Sequence, residues 1–243
     1  METNSIIYGR NPVLSALESQ RTIEKIIIQD GAKGSAGKIA ALAGDRGIPI
    51  EYGSKQELDR LTGGTSHQGV VAKVSSYKYA DFDDLLSRVK GAESALLILL
   101  DEIEDPHNLG AIMRTVECVG AAGVIIPKRR SVGLTETVAK TSAGAIERIP
   151  CAKVTNLSAA IEKLQEEGFW VCAADMDGQS LWDSNLTGKL AIVIGNEGKG
   201  VSRLVKEKCD FVISIPMEGE TGSLNASNAA AVLMYEFLRQ RRS

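Results

Sequence analysis

The sequence predicts an α/β protein whose larger part is built on a parallel sheet. Residues 94–100 and 191–194 are continuous apolar runs without the alternation of a half-exposed strand, a pattern typical of strands covered on both faces. Strand-like and helix-like segments alternate along the chain, as they do in βα units. Glycine-rich segments follow 191–194 and a further apolar run, 211–215, and open α/β sheets bind ligands at such carboxyl ends. We therefore expect a ligand pocket after these two strands.

The composition is that of a globular protein. Of the 243 residues, 44% are hydrophobic and 24% are charged, which suits one large or two modest domains with cores of their own. No apolar run reaches the roughly 18 residues that span a bilayer, and the first ten residues lack the order of a signal peptide. We therefore expect a cytoplasmic protein that does not bind membranes.

The cysteines and histidines lack the spacing of metal ligands. No CxxC pair occurs, and neither His67 nor His107 stands within such a pattern. We therefore expect reduced thiols and no metal site. The four cysteines, which lie 21 to 37 residues apart, are Cys118, Cys151, Cys172 and Cys209.

The net charge of −3 argues against a protein that coats nucleic acid by bulk electrostatics. Two local basic clusters remain, at 128–130 and 239–242. Two interpretations of each cluster are open. Its side chains contact a phosphate, or they only lie in solvent at the end of a strand or helix.

The N-terminal part predicts a small α/β domain over residues 1–76, followed by a connector over 77–92. This predicted domain contains no convincing set of catalytic residues. The glycine-rich run 31–38 has the wrong spacing for a phosphate loop and is interpreted as a mobile loop. His67 has no visible partner and is interpreted as a structural residue or as one that faces a ligand. The predicted elements are a helix opening at Asn11, a strand at 23–29, a helix at 35–45, a strand at 48–52, a helix at 54–61 and a strand at 69–74.

The second domain is predicted over 93–243. No GxGxxG, Walker or Ser-His-Asp pattern occurs, which disfavours a dehydrogenase, a kinase or a serine hydrolase. Taken alone, Asn108 reads as a helix N-cap, Arg114 as a surface arginine, and Ser223 or Asn225 as the cap of the last helix. The predicted strands are 94–100, 124–126, 149–154, 169–173, 191–194 and 211–215, and the predicted helices are 109–119, 135–142, 157–167 and one beginning near 223.

The two glycine-rich loops, 195–200 and 216–225, predict a pocket that binds its ligand mainly through main-chain groups. Glycine lets backbone N–H and C=O groups approach a ligand closely. The apolar side chains of Ile215 and Leu224 can then pack against its rings.

These two loops, together with the segment 101–115, resemble the three motifs of the SpoU (TrmH) family of RNA ribose 2′-O-methyltransferases. The resemblance implies a SPOUT-type C-terminal domain with a deep trefoil knot, S-adenosylmethionine as cofactor, and a homodimer. Segments 8–12 and 67–69 resemble that family's N-terminal RNA-binding domain, whose fold is similar to a ribosomal protein.

The resemblance also implies roles for individual residues. The implied catalytic residues are Asn108, Arg114, Glu197, Ser223 and Asn225. The implied cofactor contacts are Gly195, Ile215 and Leu224, and in the same two loops we assign Asn196, Gly198 and Met217 to this role.

The implied reaction transfers a methyl group to a ribose 2′-hydroxyl. The string 105–110 is similar to the branch that modifies a guanosine of 23S ribosomal RNA, so large-subunit ribosomal RNA is the expected partner. The alternatives are the same chemistry on transfer RNA and a non-catalytic RNA-binding protein of the same fold.

Overall fold

The computed structural model of the chain describes residues 5–18, 23–74, 77–220 and 222–242. It divides into two compact units. The first comprises Met1–Lys78 and Leu134–Arg148, and the second comprises Tyr79–Gly133 and Ile149–Ser243. Within the ranges just given, no helix is both long enough and apolar enough to cross a membrane.

The bounds of the elements are as follows. The strands are β1 (Ser5–Tyr8), β2 (Ile23–Gln29), β3 (Ile50–Gly53), β4 (Val70–Val74), β5 (Ala95–Leu100), β6 (Gly123–Pro127), β7 (Cys151–Val154), β8 (Trp170–Ser180), β9 (Lys189–Ile194) and β10 (Phe211–Ser214). The helices are α1 (Arg10–Glu18), α2 (Ser35–Asp45), α3 (Lys55–Leu61), α4 (Phe82–Val89), α5 (Pro106–Val119), α6 (Glu136–Thr141), α7 (Leu157–Glu166), α8 (Arg203–Lys206) and α9 (Ala226–Arg242).

The first unit is built on a four-stranded sheet in the order β1-β4-β2-β3. Strand β4 pairs antiparallel with β1 and β2, and β2 pairs parallel with β3. The sequence predicts no strand at β1, yet its Ile7 pairs with Ala72 and is buried. Helices α1 and α2 pack on this sheet through side chains such as Val13 and Ile39, which closes a small core.

The segment Leu134–Arg148 belongs to the first unit, whereas the sequence predicts a continuous second domain over 93–243. Its partners explain the difference. The Lys140 ammonium lies 5.4 Å from the centre of the Tyr8 ring, and Arg148 Nη1 donates a hydrogen bond of 2.8 Å to Ser15 Oγ. These are contacts between residues far apart in sequence, which no local pattern specifies.

The second unit is built on a six-stranded sheet in the order β10-β8-β9-β5-β6-β7. Every pair in it is parallel, so the predicted parallel sheet is confirmed. All six residues of β5 are buried, as the apolar run of this strand predicts. The loops after β5, β8, β9 and β10 leave the sheet at one edge, and β5 lies between β9 and β6, where the strand order reverses.

Strand β8 departs most from its prediction, because it continues to Ser180 instead of ending at residue 173. Its pairing with β10 jumps from Val212 opposite Ala173 to Ile213 opposite Gln179. Residues 174–178 therefore bulge out of the ladder, and a Cβ atom on Gly178 would lie only 2.5 Å from the Ile213 carbonyl carbon. Bulges of this kind redirect side chains, here towards the carboxyl edge of the sheet.

Candidate active site

The turn after β9, residues 195–200, closes on itself. The Asn196 N–H donates to the Gly200 carbonyl at 3.1 Å, and the Gly200 N–H donates to the Asn196 carbonyl at 2.8 Å. The Asn196 Oδ1 also accepts from the Gly198 N–H at 2.9 Å. A Cβ atom on Gly195 would lie 2.1 Å from the Gly200 carbonyl carbon and 2.2 Å from the Val201 nitrogen. Only glycine fits where the backbone crosses itself this closely.

This turn is fixed to the loop that follows β5. The Asn196 Nδ2 donates to the Glu102 carbonyl at 3.1 Å. The side chain of Asp101, which is 5% exposed, accepts from the Ser202 N–H at 2.8 Å. Two neighbouring strands of the sheet thereby hold their carboxyl-end loops in one fixed arrangement.

A polar cluster forms where this turn meets the first turns of α5 and α9. The Asn108 Nδ2 donates to Glu197 Oε1 at 2.8 Å. The Asn225 Nδ2 donates to Asn108 Oδ1 at 3.0 Å and also to Glu197 Oε1. Helix N-termini favour negative charge, so the Glu197 carboxylate is stabilised by its surroundings as well as by its two amide donors.

Helix capping separates the roles of the two asparagines. Helix α5 is capped by Asp105, whose carboxylate accepts from the His107 N–H at 2.8 Å, so the reading of Asn108 as an N-cap is wrong. Asn225 does both jobs. Its Oδ1 accepts from the Ser227 N–H at 3.0 Å while its Nδ2 reaches the cluster.

A cleft of about 320 Å³ opens beside the cluster. Its walls come from the bulge of β8, the turn after β9, the end of β10 and the start of α9, and glycines and apolar residues predominate among them. Glu197 and Ser223 lie at this cleft. All six residues that the sequence assigns to cofactor contact also line it, although their role stays a prediction: Gly195, Asn196, Gly198, Ile215, Met217 and Leu224.

Sequence reasoning missed Asp175, which the bulge of β8 brings into the wall of the cleft. Lys206 Nζ donates to its Oδ2 at 2.7 Å. Burial by itself would raise the pKa of Asp175, but the hydrogen bonds from Lys206 and from the Asp177 N–H outweigh burial and lower it. The group is therefore a fixed carboxylate at neutral pH. No motif marks it, and only the bulge gives it this position.

The structure does not bring Arg114 into the polar cluster. It stands six positions after Asn108 on α5, which places it about 9 Å further along the axis and about a third of a turn away. Its side chain is exposed, and among the described residues its guanidinium has no hydrogen-bond or ion-pair partner. All five of its N–H donors are thus available to a ligand.

His67 and the cysteines Cys151 and Cys209 are not among the residues that line the cleft. In the first unit, buried His67 accepts from the Gly69 N–H at 3.0 Å through Nδ1, so its Nε2 donates to Asp59 Oδ1 at 3.1 Å. This favours the structural interpretation of His67.

Burial raises the pKa of Cys151 and of Cys209 to about 12, so both thiols stay protonated. Over the described ranges, no group of three or more His, Cys, Asp or Glu side chains could hold a metal ion.

Comparison with known proteins agrees with this fold. The family described as SpoU rRNA Methylase matches residues 95–235, and the family described as RNA 2′-O ribose methyltransferase substrate binding matches residues 6–80. The parallel-sheet unit with its glycine-rich cleft thus defines an RNA methyltransferase. The chain belongs to the SpoU rRNA Methylase family, as the three sequence motifs predict.

Individual relatives cover nearly the whole chain. YacO of Bacillus subtilis (strain 168), provisionally classed as a TrmH family tRNA/rRNA methyltransferase, is 49% identical over 99% of this chain and 97% of its own length. The crystal structure of the SpoU methyltransferase AviRb from Streptomyces viridochromogenes superposes with a TM-score of 0.84 at 25% identity, over 98% of this chain and 90% of that one. An AdoMet-bound rRNA methyltransferase from Sinorhizobium meliloti, at 22% identity, shares the fold with a TM-score of 0.82, over 97% and 87% of the two chains.

Proposed function

We propose that the protein transfers a methyl group from S-adenosylmethionine to a ribose 2′-hydroxyl of RNA, and that the substrate is a guanosine of 23S ribosomal RNA. The observation that carries this proposal is the cluster of Asn108, Glu197 and Asn225 beside a cleft lined mainly by glycines and apolar residues. The guanosine and the ribosomal RNA rest on the resemblance of the string 105–110 to that branch of the family.

The cleft suits S-adenosylmethionine, which would supply a methyl group bound to a sulfonium, with a neutral thioether as the leaving group. The glycines of the turn carry no side chain that would stand between its backbone and a ligand, so an adenine can approach this main chain closely. The side chains of Ile215, Met217 and Leu224 supply apolar surface for its faces. The bound AdoMet of the Sinorhizobium meliloti structure supports this assignment.

The O–CH3 bond forms as the C–S bond breaks, and the proton of the hydroxyl passes to solvent water. The residues of this chain therefore have two tasks, namely to align the hydroxyl and to stabilise the charge that develops on its oxygen. Glu197 is oriented by the amides of Asn108 and Asn225, so it can hold a ribose hydroxyl or a guanidinium in one position. Ser223 lies at the cleft beside them. A guanidinium does not readily give up a proton, so Arg114 does not act as the base that removes the hydroxyl proton. It instead holds the phosphate next to the target ribose and stabilises the forming alkoxide.

A homodimer and a cytoplasmic location are part of this proposal. The dimer rests on the family resemblance, and the half-exposed Tyr235 on α9, a helix that packs on α5, is a surface that a second copy could cover. Substrate binding by the N-terminal unit is supported by the family match over residues 6–80.

The deciding experiment is transfer of labelled methyl from S-adenosylmethionine to unmodified 23S ribosomal RNA and, separately, to transfer RNA. The product nucleoside is then identified after digestion. We expect 2′-O-methylguanosine from ribosomal RNA alone. Label in transfer RNA alone would keep the chemistry and change the substrate, an alternative supported by the tRNA/rRNA class of YacO. Absence of cofactor binding would instead favour the non-catalytic RNA-binding protein.

A further inference from the structure

A cationic loop follows β6 at the carboxyl edge of the sheet, the edge that carries the cleft. Lys128 and Arg129 are exposed, and neither side chain has a hydrogen-bond or ion-pair partner in the part of the chain that the structure describes. The backbone of the loop is nevertheless fixed. The Lys128 N–H donates to the Val154 carbonyl at 2.8 Å, and the Val132 N–H donates to the Ile103 carbonyl at 2.9 Å. The two free cations therefore stand on a well-held piece of main chain.

Two successive contacts connect this loop to the active-site turn. The guanidinium of Arg130 donates through Nη1 to Glu102 Oε1 at 3.0 Å, although its side chain is 78% exposed. The carbonyl of the same Glu102 accepts from Asn196 Nδ2 at 3.1 Å. Asn196 is the neighbour of Glu197 in the chain. The cationic loop is therefore connected to the polar cluster through Glu102 and Asn196.

The backbone at both ends of the ion pair is strained. Arg130 has φ 54° and Glu102 has φ 57°, in the left-handed region that residues with a Cβ atom rarely adopt. They are two of the four non-glycine residues with positive φ among those described. A merely solvated strand end needs no such conformation, and strained backbone persists where the surrounding structure holds a functional geometry in place.

We propose that Lys128 and Arg129 bind backbone phosphates of the RNA substrate beside the target nucleotide, and that the Glu102–Arg130 pair holds the loop in that position. This inference rests on the proposed function. Glu102 neutralises Arg130, whereas Lys128 and Arg129 keep their full charge for an anionic partner. Among the open interpretations of this basic cluster, phosphate contact accounts for both the free cations and the strained support.

Phosphate contacts hold the substrate without taking part in the reaction. Replacing Lys128 and Arg129 by alanine should therefore raise KM for RNA, by roughly tenfold or more at moderate salt, and leave kcat and cofactor affinity unchanged. It should also make binding less sensitive to salt. Each lost phosphate contact lowers the slope of log K against log salt by about 0.7 to 0.9.

The test measures equilibrium binding of unmodified 23S ribosomal RNA to the full-length protein over a range of salt concentrations. It compares wild type, the double variant Lys128→Ala/Arg129→Ala, the charge-preserving Lys128→Arg/Arg129→Lys and the control Lys90→Ala. Lys90 is an exposed lysine that follows α4, at the opposite edge of the same sheet. We expect a reduced slope for the double alanine variant alone.

An unchanged slope in the double alanine variant would overturn the inference. So would an equal reduction in Lys90→Ala, which would indicate a bulk charge effect. Because binding is measured without turnover, the two proposals can fail separately. A wild-type protein that binds RNA with these salt slopes but methylates none would refute the proposed function and leave the phosphate contacts standing.

Discussion

Replacing Gly195 by alanine should damage both the stability of the fold and the cleft. The added Cβ would lie 2.1, 2.2 and 2.4 Å from the Gly200 carbonyl carbon, the Val201 nitrogen and the Gly200 oxygen. All three are backbone atoms, so no side chain can rotate away. The strands of the turn must separate by about 1 Å to restore ordinary contact distances, since close-packed interiors absorb little extra volume.

That separation would break the paired hydrogen bonds between Asn196 and Gly200, which are 2.8 and 3.1 Å long. Overpacking costs about 1–3 kcal/mol, and each hydrogen bond contributes about 0.5–1.5 kcal/mol. Together they predict a loss of about 2–6 kcal/mol in the free energy of unfolding, or a fall in Tm of about 5–20 °C for a chain of this length.

The assay is thermal unfolding followed by circular dichroism, with calorimetric titration of S-adenosylmethionine as a second readout. Gly198→Ala is the matched stability control, because a Cβ there meets only Asn196 Oδ1 at 3.5 Å, an ordinary contact. We expect Gly198→Ala to unfold within about 0.5 kcal/mol of wild type, and Gly195→Ala to lose stability and at least tenfold in cofactor affinity. Equal stability of the two variants would refute the steric reasoning.

Four further predictions concern residues of the site. Glu197→Gln removes the anion that the amides of Asn108 and Asn225 orient, so the rate of methyl transfer should fall by about a hundredfold or more. The control is Glu218→Gln, an exposed change in the neighbouring loop, which should transfer methyl at the wild-type rate. Equal activity of the two variants would contradict the role of Glu197. Arg114→Ala should cut turnover severely and leave cofactor affinity within a few-fold, since its side chain lies outside the polar cluster, and a comparable loss of both would contradict the assignment. Asp175→Asn should weaken cofactor binding more than Asp177→Asn does, because only Asp175 lines the cleft. The folded protein lowers the pKa of Asp175, so its ionised carboxylate stabilises the fold at every pH above the pKa of an unfolded aspartate. This stabilisation is lost as the pH falls through the lower pKa of the folded protein. Measurements of Tm against pH should therefore show the loss in wild type and not in Asp175→Asn.

The elements that the sequence predicts well are those whose burial is uniform. Strand β5 needs apolar residues on both faces, so the run 94–100 locates it within one residue. Strand β2 and helix α2 have the bounds that their patterns predict. Strand β1 is missed because its four residues form a strand only through pairing with β4, in which Ile7 lies opposite Ala72, 65 positions later in the chain.

The candidate site divides in the same way. Glycine-rich loops after two strands can be recognised locally, and the residues predicted for cofactor contact do line one cleft. The hydrogen bonds of the cluster join residues 89 and 117 positions apart, so only the strand order brings them together. Asp175 could not be predicted, because a one-sided shift in the pairing of β8 with β10 decides where it points.

The turn 195–200 contributes to the cleft, to the polar cluster and to the support of the cationic loop. Its three glycines line the cleft, its Glu197 accepts hydrogen bonds in the polar cluster, and its Asn196 holds the Glu102 loop, which in turn binds Arg130 of the cationic loop. A displacement of this one segment would therefore move the proposed cofactor, ribose and phosphate contacts together. Such coupling gives a physical reason for the close crossing at Gly195, since a rigid turn keeps these groups in register when RNA binds.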